Sequence, residues 1–120
     1  MSHKILVADD NPTSRELIRE VLEMSGYEVL EAADGRDAVA RAREGIPDLV
    51  LVDIQMPHLD GYGVLRELRA DPAFAKLHVV ALTAFAMHGD KERALEAGFD
   101  GYITKPVEIA ALRQEIRRFL

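Results

Sequence analysis

Asp9 and Asp10, Asp53, Thr83 and Lys105 carry the chemistry available to this sequence. Each follows a short apolar run, where a buried strand would end. Carboxylate oxygens suit a hard divalent cation such as Mg²⁺. An ammonium and a hydroxyl suit the oxygens of a phosphoryl group. Two adjacent carboxylates about 4 Å apart repel by roughly 4 kcal/mol at an effective dielectric of 20, and a cation removes that cost. Asp53 can act as a nucleophile toward phosphorus, giving an aspartyl phosphate. Each residue also has a plainer reading. Asp9–Asp10 can cap the following helix, and Asp53 can ligate a metal with no covalent role. Thr83 can satisfy the backbone at a strand end, and Lys105 can be an ordinary surface lysine. All four groups at four strand ends are hard to assign to chance.

These positions make sense only if the strands run parallel. Ile5–Ala8 is apolar and is followed by Asn11–Pro12, a helix N-cap with proline at the first helical position. Leu17, Ile18, Val21 and Leu22 then recur at helical spacing up to Gly26. Tyr27–Ala32 reads as an edge strand. Asp34–Gly35 opens a second helix, closed by Gly45 and Pro47. Leu49–Val52 is the most continuous apolar run, as expected of a central strand covered on both faces. A helix capped by Asp60 follows, with Val64, Leu65 and Leu68 inward. Val79–Leu82 is the fourth strand and Asp90–Ala97 the fourth helix. Tyr102–Ile103 is the fifth strand, and Ile109, Leu112, Ile116 and Phe119 stripe the last helix. The order is strand–helix five times. Short crossovers force parallel strands and right-handed connections. The fold class is therefore α/β, a flavodoxin-like doubly wound sandwich of strand order 2-1-3-4-5. In it the first and third strands flank the switch point where ligands bind.

The 120 residues suit one domain, 1–120. Composition is that of a soluble domain, 48% hydrophobic and 30% charged, and no apolar run approaches a membrane span. With no cysteine there is no disulfide or zinc–thiolate chemistry. A net charge of −6 argues against gripping nucleic acid. Cytoplasm is the default location. The four histidines form no i, i+4 ligand pair, and Asp34, Asp48, Asp60, Asp71, Asp90 and Asp100 read as caps and turn residues.

The segments ILVADDNP, LVDIQMPHLDGYGVL, VVALTAFAMHGD and GYITKPVE resemble the receiver domain of two-component response regulators. The likeness runs from end to end, closest to DivK-type single-domain receivers and to receivers of hybrid histidine kinases. The resemblance implies that Asp53 is the phosphoacceptor. Asp10, Asp53 and the backbone carbonyl of Gln55 would bind Mg²⁺ directly, and Asp9 through a metal-bound water. Lys105 would pair with the phosphoryl group and be joined to Pro106 by a cis peptide. Thr83 and Tyr102 would be the switch residues, read out on the face of the fourth helix, fifth strand and fifth helix. The phosphoryl donor would be a histidine kinase or a histidine phosphotransfer protein, and the output a downstream protein effector. Because the chain ends with its fifth helix, no output domain is expected.

Around the mouth of that site, Pro12, Ser14, Leu17 and Pro106 could dock the donor, although Leu17 could equally pack in the core. Phe85 and Met87 could touch a partner or simply form a local cluster. A bulky Phe85 beside the entry path of water would prolong the phosphoryl state, unless it packs on the fourth helix. Three other functions compete. An aspartate-dependent phosphohydrolase of the haloacid dehalogenase type would need an acid/base Asp two residues past its nucleophile, where this chain has Gln55. A flavin or nucleotide carrier would need a glycine-rich phosphate loop after the first strand. A phosphate-independent scaffold would not need the complete residue set.

Overall fold

The computed structural model describes residues 3–84 and 89–120. Five strands and five helices alternate: β1 (Lys4–Ala8), α1 (Pro12–Met24), β2 (Glu28–Ala32), α2 (Gly35–Gly45), β3 (Leu49–Asp53), α3 (Gly61–Ala70), β4 (His78–Thr83), α4 (Asp90–Ala97), β5 (Gly101–Thr104) and α5 (Ile109–Phe119). All strand pairs are parallel, in the order β2-β1-β3-β4-β5. The expected fold class and strand order are those observed.

The period of two along each strand splits the core into two layers. Ile5, Val7, Leu49, Leu51, Val80 and Leu82 meet Ile18, Leu22, Leu112 and Ile116 of α1 and α5. Leu6, Ala8, Val50, Val52, Val79 and Ala81 meet α2, α3 and α4 through residues such as Val39, Leu65, Leu68 and Ala94. Every residue of β3 is buried. Burying one such Val or Leu is worth about 1.5–3 kcal/mol, so the central strand anchors both layers.

The register explains why distant residues share one edge. Ala8 pairs with Val52, so Asp9 and Asp53 are the next residues on neighbouring strands. Asp53 pairs with Leu82 and Thr83 with Thr104, so Thr83 lies one residue beyond Asp53 along the same edge and Lys105 one residue beyond that. Asn11 Oδ1 accepts from the N–H groups of Thr13 and Ser14 and starts α1 beside the site. Asp34 and Asp60 cap α2 and α3 as read from sequence.

Two local readings change. Leu17 is 43% exposed and Ile109 45%, so neither belongs to the core stripe of its helix. The second helix closes on Gly45 as read, and the left-handed residue just after it is Ile46 (φ 47°). A Cβ added to Gly45 would press on the tip of the Leu30 side chain, which would have to shift. Pro47 disfavours the helical conformation for the residue before it, so Ile46 takes the exit. A short 3₁₀ turn at Pro72–Phe74, capped by Asp71, was not visible in the apolar periodicity.

Candidate functional site

An open cleft of about 430 Å³ lies at the carboxyl edge of the sheet. Asp10, Asn11, Pro12, Asp53, Gln55, Ala84 and Lys105 line it. Asp9 and Asp53 are buried and Asp10 is exposed. One carboxylate oxygen of each lies within 4.8 Å of the other two.

Each buried carboxylate is held. Asp53 Oδ1 accepts from the Gln55 N–H at 2.9 Å, and Oδ2 accepts from Lys105 Nζ at 2.6 Å. Asp9 Oδ1 accepts from the Asn11 N–H at 2.9 Å. Lys105 Nζ is also 2.7 Å from Asp9 Oδ2. At that distance the ammonium is shared between the two carboxylates, and Asp9 Oδ2 has no other donor among the described residues. The Lys105–Pro106 peptide is cis.

Electrostatics follow from burial and from numbers of charges. Burial pushes the Asp53 carboxyl above its ordinary 3.8, against the pull of Lys105 and the Gln55 N–H. Asp9 adds to the rise as a nearby like charge. For Lys105, burial works downward, but the hydrogen bonds and charges of Asp53 and Asp9 outweigh it and hold the ammonium above its ordinary 10.5. Three carboxylates therefore face one ammonium. A second cation is the missing charge, and oxygen ligands at this spacing suit a hard divalent ion. The residues fit Mg²⁺.

The other candidates fall into three groups. Thr83 is buried at the end of β4. Tyr102 is half-buried on β5, and its hydroxyl has no hydrogen bond of good geometry among the described residues. Burial raises the tyrosine's pKa, Asp90 and Tyr62 add to the rise, and the Thr83 hydroxyl opposes it. Pro12, Leu17 and Pro106 are exposed and Ser14 half-buried. Phe85 and Met87 lie outside the described residues. Sequence reading missed Arg15, whose Nη1 donates to the Asp9 carbonyl at 2.7 Å. One signal was available: a cation in the first turn of a helix opposes the helix dipole and needs a local reason.

Comparisons with known proteins converge on one family. The family model described as the response regulator receiver domain matches residues 5–117. The polar-differentiation response regulator DivK of Brucella ovis is 38% identical over 120 residues, covering 100% of this chain and 98% of that protein. The receiver domain of a sensor histidine kinase from Pseudomonas aeruginosa is similar at TM-score 0.90 and 38% identity, over 99% of this chain and 98% of that one. That structure has a magnesium ion coordinated in its active-site cleft. A chemotaxis response regulator of Vibrio cholerae is similar at TM-score 0.93 and 28% identity over all of both chains.

Proposed function

We propose that this chain, which belongs to the response regulator receiver family, is a phosphorylation-controlled signalling switch with Asp53 as phosphoacceptor and Mg²⁺ as cofactor. One observation carries the reading. Lys105 Nζ sits 2.6 Å from Asp53 Oδ2, beside three carboxylate oxygens gathered within 4.8 Å. A buried carboxylate anchored by a backbone N–H and an ammonium is held in one orientation for attack.

Asp10, Asp53 and the Gln55 carbonyl would hold Mg²⁺, with Asp9 behind a metal-bound water. Bound there, the ion neutralises charge developing on the phosphoryl oxygens. An Asp53 oxygen attacks phosphorus. The O–P bond forms as the N–P bond of a phosphohistidine breaks, and the imidazole nitrogen keeps the electron pair. Lys105 holds one phosphoryl oxygen as a point charge, and Thr83 offers its hydroxyl to another. Tyr102, on the next strand, follows Thr83 as the second switch residue. One new charge biasing a two-state element is the physical form of such a switch.

The donor is a histidine kinase or histidine phosphotransfer protein docking around Pro12, Ser14, Leu17 and Pro106. The exposure of Leu17 supports this. A downstream protein effector meets the α4–β5–α5 face, where a cleft of about 410 Å³ is lined by Lys91, Tyr102, Pro106 and Glu115. Residues 1–120 act as one receiver domain. Its chemistry is its own phosphorylation and dephosphorylation, with no turnover of a separate substrate. The setting is the cytoplasm, without direct contact to nucleic acid or membrane. No helix among the described residues is long and apolar enough to cross a membrane.

The test is intact mass after incubation with acetyl phosphate and Mg²⁺, beside Asp53→Ala. One phosphoryl adduct, absent in the variant and without Mg²⁺, is the expected result. No adduct on the wild type, together with no binding of beryllofluoride, overturns the reading in favour of a phosphate-independent scaffold.

A further inference from the structure

The geometry points to Arg15 as a positioning residue for the cation site, holding the Asp9–Asp10 peptide in place through the Asp9 carbonyl. The inference rests on the Mg²⁺ reading above. Arg15 Nη1 donates to the Asp9 carbonyl at 2.7 Å, the link on which Asp9 and Asp10 join. Its Nε donates to Glu31 Oε1 at 3.2 Å. Glu31 in turn accepts from Arg19 Nη1 at Oε2, also at 3.2 Å. Glu31 sits on β2 directly across from Val7 of β1, and the Asp9 N–H donates to the Ala32 carbonyl at 3.1 Å.

The Asp9–Asp10 unit is therefore fixed at three points. Its incoming N–H is tied to β2, its central carbonyl to Arg15, and the Asp9 carboxylate to the Asn11 N–H and Lys105. The carbonyl tie is the one that sets rotation of the peptide, and so the direction in which the Asp10 side chain leaves the backbone. Asp10 is exposed and accepts none of the protein hydrogen bonds found among the described residues. Its orientation therefore depends on the backbone beneath it. Arg15 is only 21% exposed, which limits competition from water for its hydrogen bonds. Residues that orient a metal's ligands from behind commonly change affinity by about 10–100-fold when removed.

A structural clamp between α1 and β2 would use the same Arg15–Glu31 pair. Arg19 separates the two ideas. It shares Glu31 with Arg15 but does not reach Asp9. The experiment is calorimetric titration of Mg²⁺ alone into wild type, Arg15→Gln, Arg15→Lys, Arg19→Gln and Glu31→Gln, with thermal unfolding of each metal-free protein. Arg15→Gln should raise the dissociation constant about tenfold, and Arg19→Gln should leave it within twofold. Arg15→Lys, which keeps a cationic donor, should recover part of the loss. Should Arg15→Gln not fold, Arg15→Lys against Arg19→Gln makes the same comparison. Equal Mg²⁺ affinity in wild type and Arg15 variants, or equal weakening in Arg15→Gln and Arg19→Gln, overturns the inference and leaves the Mg²⁺ reading intact. A wild type that binds no Mg²⁺ overturns both.

Discussion

Replacing Asp10 by Asn should make the metal-free protein more stable, and Mg²⁺ should reverse that order. The site holds three carboxylates against one ammonium. Two unit charges 4.8 Å apart repel by about 0.9 kcal/mol at the dielectric of water and about 3.5 kcal/mol at an effective value of 20. Asp10 is exposed, which favours the lower figure, and Lys105 offsets part of it. A gain of about 1 kcal/mol for Asp10→Asn is the result, worth roughly 4 °C in melting temperature for a domain of this size. Free Mg²⁺ at one hundred times the wild-type dissociation constant adds about 2.7 kcal/mol to the wild type. A variant whose affinity is a hundredfold lower gains only about 0.4 kcal/mol. The wild type then leads by about 1.3 kcal/mol. The assay is thermal or urea unfolding of both proteins, with chelator and across a Mg²⁺ series. A metal-free Asp10→Asn protein less stable than wild type would refute the electrostatic argument. Parallel Mg²⁺ curves would refute the ligand role of Asp10.

Four more outcomes follow from the same structure. Because the folded Asp53 carboxyl lies above its ordinary 3.8, the folded protein holds that proton more tightly than the unfolded chain. Stability from this group is lost as pH rises from 3.8 through the folded value and returns on acidification. Phosphorylation needs the carboxylate, so the acid limb of the adduct-forming rate should have its midpoint above 3.8 and move down as Mg²⁺ competes with the proton. Lys105 has the opposite charge and a raised value, so its ion pairs are fully present below 10.5 and lost only as pH climbs through the folded value. Unfolding followed between pH 7 and 9 should show no loss from this pair. Leu51→Ala, at a fully buried position of the central strand, should cost about 2–5 kcal/mol in urea unfolding. Asp60→Ala removes the acceptor for the Gly63 N–H and should cost about 0.5–2 kcal/mol without changing Mg²⁺ affinity.

Most of the architecture was legible because two periods dominate the chain. Leu49–Val52 is apolar at every step and Leu112–Ile116 at every fourth, and both behave as those spacings require. Residues off these patterns read less well. Leu17 is apolar and next to Ile18, yet one position on a helix turns a side chain through 100°, and Leu17 faces outward. Gly45 looked like a helix stop because glycine so often is one. It does end α2, and the approach of Leu30 from β2 to it is a tertiary contact absent from local sequence. The site residues were legible as strand-end exceptions. The bond from Arg15 to a backbone carbonyl was not, since nothing in the spelling of Asp9 marks its main chain as an acceptor.

The buried polar or charged side chains among the described residues are Asp9, Asp53 and Thr83. A core assembled for stability alone would have apolar residues there, since an unpaired buried charge is expensive. All three stand at strand ends on one edge of the sheet, Asp9 and Asp53 level with each other and Thr83 one residue further along. The exceptions to the folding rule thus share one place, as expected when a local rule is broken for function. The scaffold bears the cost through β3, which is buried throughout and ends on Asp53 itself. A strand so firmly held allows its last residue to remain electrostatically unsettled. A cation or a phosphoryl group arriving at the cleft then acts on a position that is fixed in space but not satisfied in charge. The same logic explains why Asp10→Asn should trade function for stability: it settles the charge without moving the strand.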